Sequence, residues 1–425
     1  MFTFLQRLAN VSEGTRLVIC RLAFLFGCLL PTLLVLSWCA SHYLPGRAEA
    51  ARRQLADRLG LEVELAEVRY PRPGVTSYLG LQFADPELGA RLITIGELEI
   101  TAGDAQATIR ASQVEIIGAG GERLWQWLHR RLCSRSQGPV RLRAEQVAYR
   151  QGKTLHWLTD VQARIEPTET GMQAVLAWRQ AGVDMQKPHR LGVVRDRSST
   201  PPSTQWQLET GETPLPCSLA AALLPSTARL GETSSFRGSV WAQQQPGGWV
   251  GAMAGQFTEV DLQRALSGVF PHPLSGKARL TVERATFRQG RVETLQAAIH
   301  ARGGDYGRSL VTSAVEYLDM RLATQRELLA GAEPYHELGL RVNLDRAGLS
   351  LAGLCSSAPG AVLVSRWGPV LGEPAPAAQP VTDLLKMVSP GEPMLAPISL
   401  AAAPLARVLP LPDGSGQRSA VSGQR

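Results

Sequence analysis

Residues 338–345 read LGLRVNLD and place an apolar side chain at every second position. The leucines and valine at 338, 340, 342 and 344 alternate with glycine, arginine, asparagine and aspartate. Successive side chains of a β-strand point to opposite faces of its sheet, so this period of two predicts a strand with one apolar face and one solvated face. Such one-sided strands are typical of antiparallel sheets.

The same alternation recurs along the chain, at residues 62–65, 97–100, 140–145 and 278–283. Short turn signals rich in proline and glycine separate these segments. Helical spacing of apolar residues predicts four helices, at 45–60, 122–133, 261–269 and 308–329. The expected fold is therefore mainly β with a few helices, an antiparallel β-rich body that is either an open groove or sandwich-like.

Near the N-terminus, residues 22–39 read LAFLFGCLLPTLLVLSWC and carry no charge. A helix that spans a bilayer needs about 20 apolar residues. Signal peptides have a shorter apolar core, about 7–15 residues, and prefer a small residue where this chain has the bulky Trp38. We therefore expect an uncleaved transmembrane anchor. Cleavage or lipidation near Cys39 and a buried helix of a soluble protein are the alternatives.

The orientation of this anchor does not follow from charge, because arginines flank it on both sides, at 7, 16 and 21 and at 47, 52, 53 and 58. Long domains are exported largely regardless of charge. The short N-terminus and the long C-terminal body therefore predict a single-pass protein with a cytoplasmic N-terminus and an exported body.

Composition predicts four regions along the chain. They are the N-terminus with its anchor (1–44), the amphipathic helix and a first β-rich region (45–195), a second β-rich region with covering helices (204–358) and a proline-rich tail (366–425). The tail holds ten of the chain's 28 prolines and one aromatic residue, Trp367. Such a composition buries too little surface to offset the entropy of ordering, which predicts disorder.

The sequence offers no catalytic, cofactor or metal signature. The net charge is +7, but the arginines are scattered and no nucleic-acid-binding fingerprint occurs, so we expect no nucleic acid partner. The six cysteines and seven histidines have neither metal-ligand nor disulfide spacing. We therefore expect a protein that is not an enzyme. The enzymatic alternative is a glycan-cleaving site that uses Asp160, Glu166 and Asp184 as acid and base.

Two blocks of the sequence each contain several short motifs in a defined order. The first block contains LGLEV at 59–63, a Pro-Gly turn at 73–74, LQFADP at 81–86 and IGELEI at 95–100. The second contains FRGSV at 236–240, a short helix at 261–266, PLSGKARL at 273–280 and a Gly-Arg turn at 290–291. These motifs follow a single membrane span and a short helix. The arrangement resembles that of the AsmA-like proteins of the bacterial envelope.

The resemblance implies an inner-membrane anchor, a periplasmic β-rich body shaped as a groove, and a role in lipid transport or outer-envelope assembly. It supplies no catalytic residue. It also implies a location, namely the bacterial inner membrane with the bulk of the chain in the periplasm.

From these patterns we expect an apolar groove face that binds phospholipid or another envelope lipid. Its candidate lipid-facing residues are Val63, Leu65, Leu98, Ile100, Leu280 and Val282. Alternation alone is equally compatible with a closed core, and that alternative stays open. In the helix at 122–133, Trp125, Trp127 and Leu128 are candidates for docking or for contact with a membrane surface, since tryptophan favours interfaces. The alternative function is a scaffold that recruits an envelope protein partner without binding lipid.

Overall fold

The computed structural model describes residues 13–42, 46–59, 61–85, 89–102, 106–133, 138–184, 186–221, 224–268, 270–324, 331–375, 378–388 and 409. It is 55% strand and 24% helix, which confirms the predicted mainly-β fold. The chain divides into two compact units, residues 1–101 and 102–425.

The N-terminal unit begins with a helical segment, Leu17–Ser37, that is long and apolar enough to cross a membrane, with a mean hydropathy of 2.3. It comprises α1 (Glu13–Phe24), a π-helical turn (Leu25–Leu29) and α2 (Leu30–His42). Proline inside a helix clashes with the carbonyl four residues earlier. The wide π-helical turn directly before Pro31 accommodates that clash.

A small antiparallel sheet completes this unit after helix α3. The elements are α3 (Gly46–Leu59), β1 (Glu62–Glu64), β2 (Glu67–Arg72), β3 (Val75–Ala84) and β4 (Arg91–Ala102). Strand β3 is central and pairs with β1, β2 and β4. Val63, Leu81 and Phe83 are buried in this unit, so its core lies where β1 meets β3.

The second unit contains one mixed sheet and four labelled helices. Its strands are β5 (Ala107–Ile117), β6 (Val140–Gln151), β7 (Thr154–Pro167), β8 (Gly171–Gln180), β9 (His189–Asp196), β10 (Ser203–Glu209), β11 (Leu215–Pro216), β12 (Ser235–Gln245), β13 (Gly248–Asp261), β14 (Lys277–Arg288), β15 (Arg291–Gly307), β16 (Met320–Leu322), β17 (Ala332–Asp345), β18 (Gly348–Gly353), β19 (Ala361–Ser365) and β20 (Gly368–Pro374). Its helices are α4 (Gly118–Cys133), α5 (Leu262–Leu266), α6 (Arg308–Leu318) and α7 (Val381–Val388). Two short 3-10 helices, Cys217–Ala220 and Pro225–Leu230, follow β11.

Most strands of this sheet pair with their chain neighbours through short antiparallel turns. The exception is the parallel pair β5 and β6, which α4 connects as a crossover helix. From β6 the ladder continues through β7, β8, β9, β10, β12, β13, β14, β15 and β17. At the far edge β17 pairs with both β18 and β19, then β19 pairs with β20 and β20 with β16.

The predicted helices are all present, although two are shorter than expected. Helix α5 ends at Leu266 and α6 ends at Leu318. Asp319 follows α6 in the left-handed conformation, with φ of 49°, and the chain then enters strand β16. Residue 269 and residues 325–329 of the predicted helices lie outside the described residues.

The predicted disordered tail starts too early. Strand β20 and helix α7 lie inside it, and Leu371, Val381 and Leu385 belong to the main hydrophobic core. Composition averaged over sixty residues concealed strand β20, whereas the amphipathic pattern of residues 381–388 is visible in the sequence and forms helix α7. Leu409 is also buried in this core, and the rest of residues 389–425 lie outside the described residues.

The sheet also continues through the predicted break between residues 195 and 204. Strands β9 and β10 pair along their whole length on either side of a short loop. The two compact units instead divide at residue 101.

Candidate functional site: the apolar face of the sheet

One face of the second unit's sheet carries an unbroken row of apolar side chains. Residues directly paired on neighbouring strands point to the same face. Following these pairs across twelve strands gives a set that we call the apolar row: Ile109, Leu142, Ala163, Leu176, Leu191, Leu208, Val240, Met253, Ala285, Leu295, Leu344 and Leu349. No polar residue interrupts it.

The opposite face of the same strands is polar. The neighbouring cross-strand row consists of Arg110, Arg143, Gln162, Ala177, Arg190, Glu209, Ser239 and Ala254. Six of these eight residues are charged or polar. The alternation seen in the sequence therefore extends across the sheet as two faces of opposite chemistry.

The apolar row is neither fully exposed nor uniformly buried. Its members in β5 to β13 are half-buried, whereas Leu344 and Leu349 at the far end are buried, at 4% and 1% exposure. At that end, helices α6 and α7 pack on the sheet through Leu310, Val311 and Leu385. The first eight members thus form a partly accessible apolar surface.

Helix α4 covers part of the same face. Leu132 is buried with Ile165 and Val193 of the sheet, and Trp125, Trp127 and Leu128 pack against this cluster. The ring centroids of Trp125 and Trp206 are 4.0 Å apart. The three residues predicted for docking therefore contact the protein's own sheet.

The six predicted lipid-facing residues are divided between the two compact units. Val63, Leu65, Leu98 and Ile100 belong to the N-terminal unit, where Val63 is buried opposite Phe83. Leu280 and Val282 lie in β14 of the second unit. They neighbour Ala285 of the apolar row in a cluster with Ala297, Met253 and Leu295. The predicted set did not include the residues of β8 to β10, although Gln205-Trp206-Gln207-Leu208 alternates in the same way.

One histidine lies on the apolar face. His189 is fully buried directly opposite Trp178, and its Nδ1 donates a hydrogen bond to the carbonyl oxygen of Thr210 at 2.9 Å. Burial lowers the pKa of His189 because it disfavours the charged ring. The neutral ring adds no charge to this face, where Arg195 of the same strand donates a hydrogen bond to the hydroxyl of Thr204 at 2.6 Å.

The carboxylates considered for acid–base chemistry do not form a pair. Asp160 accepts a hydrogen bond from Gln162 at 2.7 Å, Glu166 bonds to Arg164, and Asp184 is exposed. No hydrogen bond or ion pair between described residues joins the three. Within the described ranges, no group of three or more histidine, cysteine, aspartate or glutamate side chains could hold a metal ion.

Three cysteines of this unit are free thiols, with Cys133 exposed and Cys217 and Cys355 buried. Burial raises the pKa of Cys355 to about 11, so this thiol stays protonated at neutral pH.

Comparison of the chain with protein-family models, with curated proteins and with solved structures finds no match.

Proposed function

We propose that this protein is a membrane-anchored protein of the bacterial envelope whose β-rich body binds lipid, or helps to transfer it, along the apolar face of its sheet. The observation that carries the proposal is the apolar row, which crosses twelve strands without a polar residue and stays partly accessible over eight of them. Large accessible apolar surfaces on proteins mark sites for lipid or for other partners.

Acyl chains fit this surface chemically. Burial of each methylene group contributes about 0.8 kcal/mol, so even a short contact with an acyl chain is favourable. The polar face behind the row keeps the sheet solvated on its other side. The resemblance of two sequence blocks to AsmA-like proteins supports the same function, as does the apolar helix Leu17–Ser37.

Photocrosslinking on the two faces of one strand tests the proposal. In β10, Leu208 belongs to the apolar row and the adjacent Gln207 faces the opposite way. A benzophenone amino acid at each position of the full-length chain would be irradiated in cells. Mass spectrometry then identifies the product after extraction in detergent.

We expect lipid attached at position 208 and little or none at position 207. Lipid attached equally at both positions would reflect general contact with membrane or detergent and would overturn the proposal. A protein partner attached at position 208 without lipid would support the scaffold function instead.

We further propose that the anchor lies in the inner membrane with the body in the periplasm. Cys133 provides a test because its thiol is free and exposed, whereas Cys217 and Cys355 are buried. A membrane-impermeant maleimide should label Cys133 in spheroplasts but not in inverted inner-membrane vesicles. In a background in which the cysteines at 20, 28 and 39 are replaced by serine, Cys133→Ser should abolish the labelling. Labelling only in inverted vesicles would place the body in the cytoplasm.

A further inference from the structure

The polar face carries a cluster of arginines at its β5–β7 end. Arg110 in β5 lies directly opposite Arg143 in β6, and Arg141 in β6 lies directly opposite Arg164 in β7. We call these four residues the arginine patch. All four are exposed, and they lie on the face opposite to Ile109, Leu142 and Ala163 of the apolar row.

Most of this positive charge is not neutralised within the protein. Arg164 pairs with Glu166. In contrast, Arg110, Arg141 and Arg143 make no hydrogen bond or ion pair with any residue that the structure describes. Glu145 is a further exposed acid on the same face of β6, two residues beyond Arg143. The patch therefore keeps a net positive charge.

This arrangement opposes stability. Like charges directly opposite each other on neighbouring strands are destabilising. Elsewhere on the same face the structure pairs opposite charges, as where Arg190 lies opposite Glu209. A sheet that places two arginine pairs side by side is suited to an anion that would bind between them.

The spacing suits phosphate groups. Neighbouring strands lie about 4.8 Å apart, and residues two apart in a strand lie about 7 Å apart. The four arginine side chains therefore leave the backbone at neighbouring positions on one face, and guanidinium binds phosphate through paired N–H donors. The chain also carries a helix apolar enough to anchor it in a membrane, which keeps phosphate headgroups near at a high effective concentration.

We propose that the arginine patch docks the body onto a bilayer surface that contains anionic phospholipid, through the lipid phosphates. This contact uses the face of the sheet opposite to the lipid-binding face proposed above, and does not depend on it.

A flotation assay with the full-length protein tests the docking. The protein is held by its anchor in nanodiscs of phosphatidylcholine and mixed with vesicles of phosphatidylcholine, with or without phosphatidylglycerol. We expect wild-type nanodiscs to float only with vesicles that contain phosphatidylglycerol. Arg141→Gln/Arg143→Gln should weaken this binding about thirtyfold, which corresponds to about 1 kcal/mol for each arginine removed.

The matched control is Arg279→Gln/Arg341→Gln, which removes the same charge from exposed positions on the polar face of β14 and β17. It should bind nearly as tightly as the wild type. Equal losses in the two double variants would show that net charge alone is responsible and would overturn the proposal. Equal binding of wild type to both kinds of vesicle would overturn it as well.

Discussion

Leu208 in β10 lies directly opposite Val240 in β12, although β11 and two 3-10 helices separate these strands in the chain. On its other side Leu208 lies opposite Leu191 in β9. The Leu208–Val240 pair thus connects the strands before β11 to the strands after it, and the two sets of strands form one continuous apolar surface. A charge placed at Leu208 would interrupt that surface near its middle.

Leu208→Glu should reduce bound lipid while the sheet remains folded, because the half-buried side chain leaves its carboxylate within reach of water. An acyl chain that crosses the carboxylate would desolvate it at a cost of roughly 2 kcal/mol, about thirtyfold in affinity. Lipid analysis of the purified protein, with circular dichroism as the check on folding, measures the effect.

Gln207→Glu is the control for Leu208→Glu because it adds the same charge to the opposite face of the same strand. It should keep the wild-type amount of lipid. If both variants fold and retain all their lipid, the apolar row is not where the lipid binds.

Leu280→Glu should have a different result. Leu280 is half-buried, as Leu208 is, but it lies opposite Phe257 and Ile299 and packs against the buried cluster of Val282, Ala285 and Ala297. A carboxylate in that cluster lacks a polar partner, so we expect the free energy of unfolding to fall by about 3 kcal/mol. Thermal unfolding in detergent measures this loss. A variant as stable as the wild type would show that the open part of the apolar face extends to β14.

The C-terminal helix α7 should be essential for stability. Leu385 is 2% exposed in the main core, whereas its neighbour Leu384 is only partly buried. Leu385→Ala should cost about 2–5 kcal/mol, and Leu384→Ala distinctly less. Truncation after Gly360 should be worse than either, because it removes β19, β20 and α7 together. Unchanged melting of the truncated protein would mean that these elements do not pack as described.

The sequence predicted the strands well but not their partners. Period-two alternation within β4, β6, β14 and β17 is a local property, and so is the helical spacing of α3 and α4. Which residues lie opposite one another depends on turns and on distant segments. Hence the approach of β12 to β10, and the continuity of the apolar row, could not be derived from the chain alone.

The same limit applies to two predictions for the candidate site. Leu98 and Leu280 have equivalent local patterns, yet they belong to different compact units. Trp125 and Trp127 suggested an external interface, because an amphipathic helix does not reveal what its apolar side contacts. In the structure that contact is the sheet itself, through Trp206.

The arginine patch predicts a gain in stability on charge reversal. Arg143→Glu places a carboxylate directly opposite Arg110 and should raise the free energy of unfolding by about 0.5 kcal/mol. Arg341→Glu, opposite Ala298, should give no such gain. Equal changes in the two variants, measured by thermal unfolding at low salt, would show that the cross-strand arginines do not repel one another.

Glu337 should make stability depend on acid pH. The residue is 7% exposed, and its carboxylate accepts hydrogen bonds from the backbone N–H and hydroxyl of both Ser356 (2.9 and 2.8 Å) and Ser357 (3.0 and 2.6 Å). These bonds, the Ser357 hydroxyl first, lower the pKa of Glu337 to about 2. Because the folded pKa lies below the unfolded value of about 4.3, the stabilisation is complete above pH 4.3.

As the pH falls from about 4.3 to about 2, Glu337 takes up its proton more readily in the unfolded chain, and the stabilisation is lost. Glu337→Gln should therefore cost about 2 kcal/mol at pH 7, the value of hydrogen bonds to a charged group, and much less near pH 2. Thermal unfolding of both proteins across this range measures the difference. Glu283→Gln, at an exposed position, should match the wild type throughout. A Glu337→Gln deficit that stays constant with pH would mean that packing, and not charge, accounts for the role of this residue.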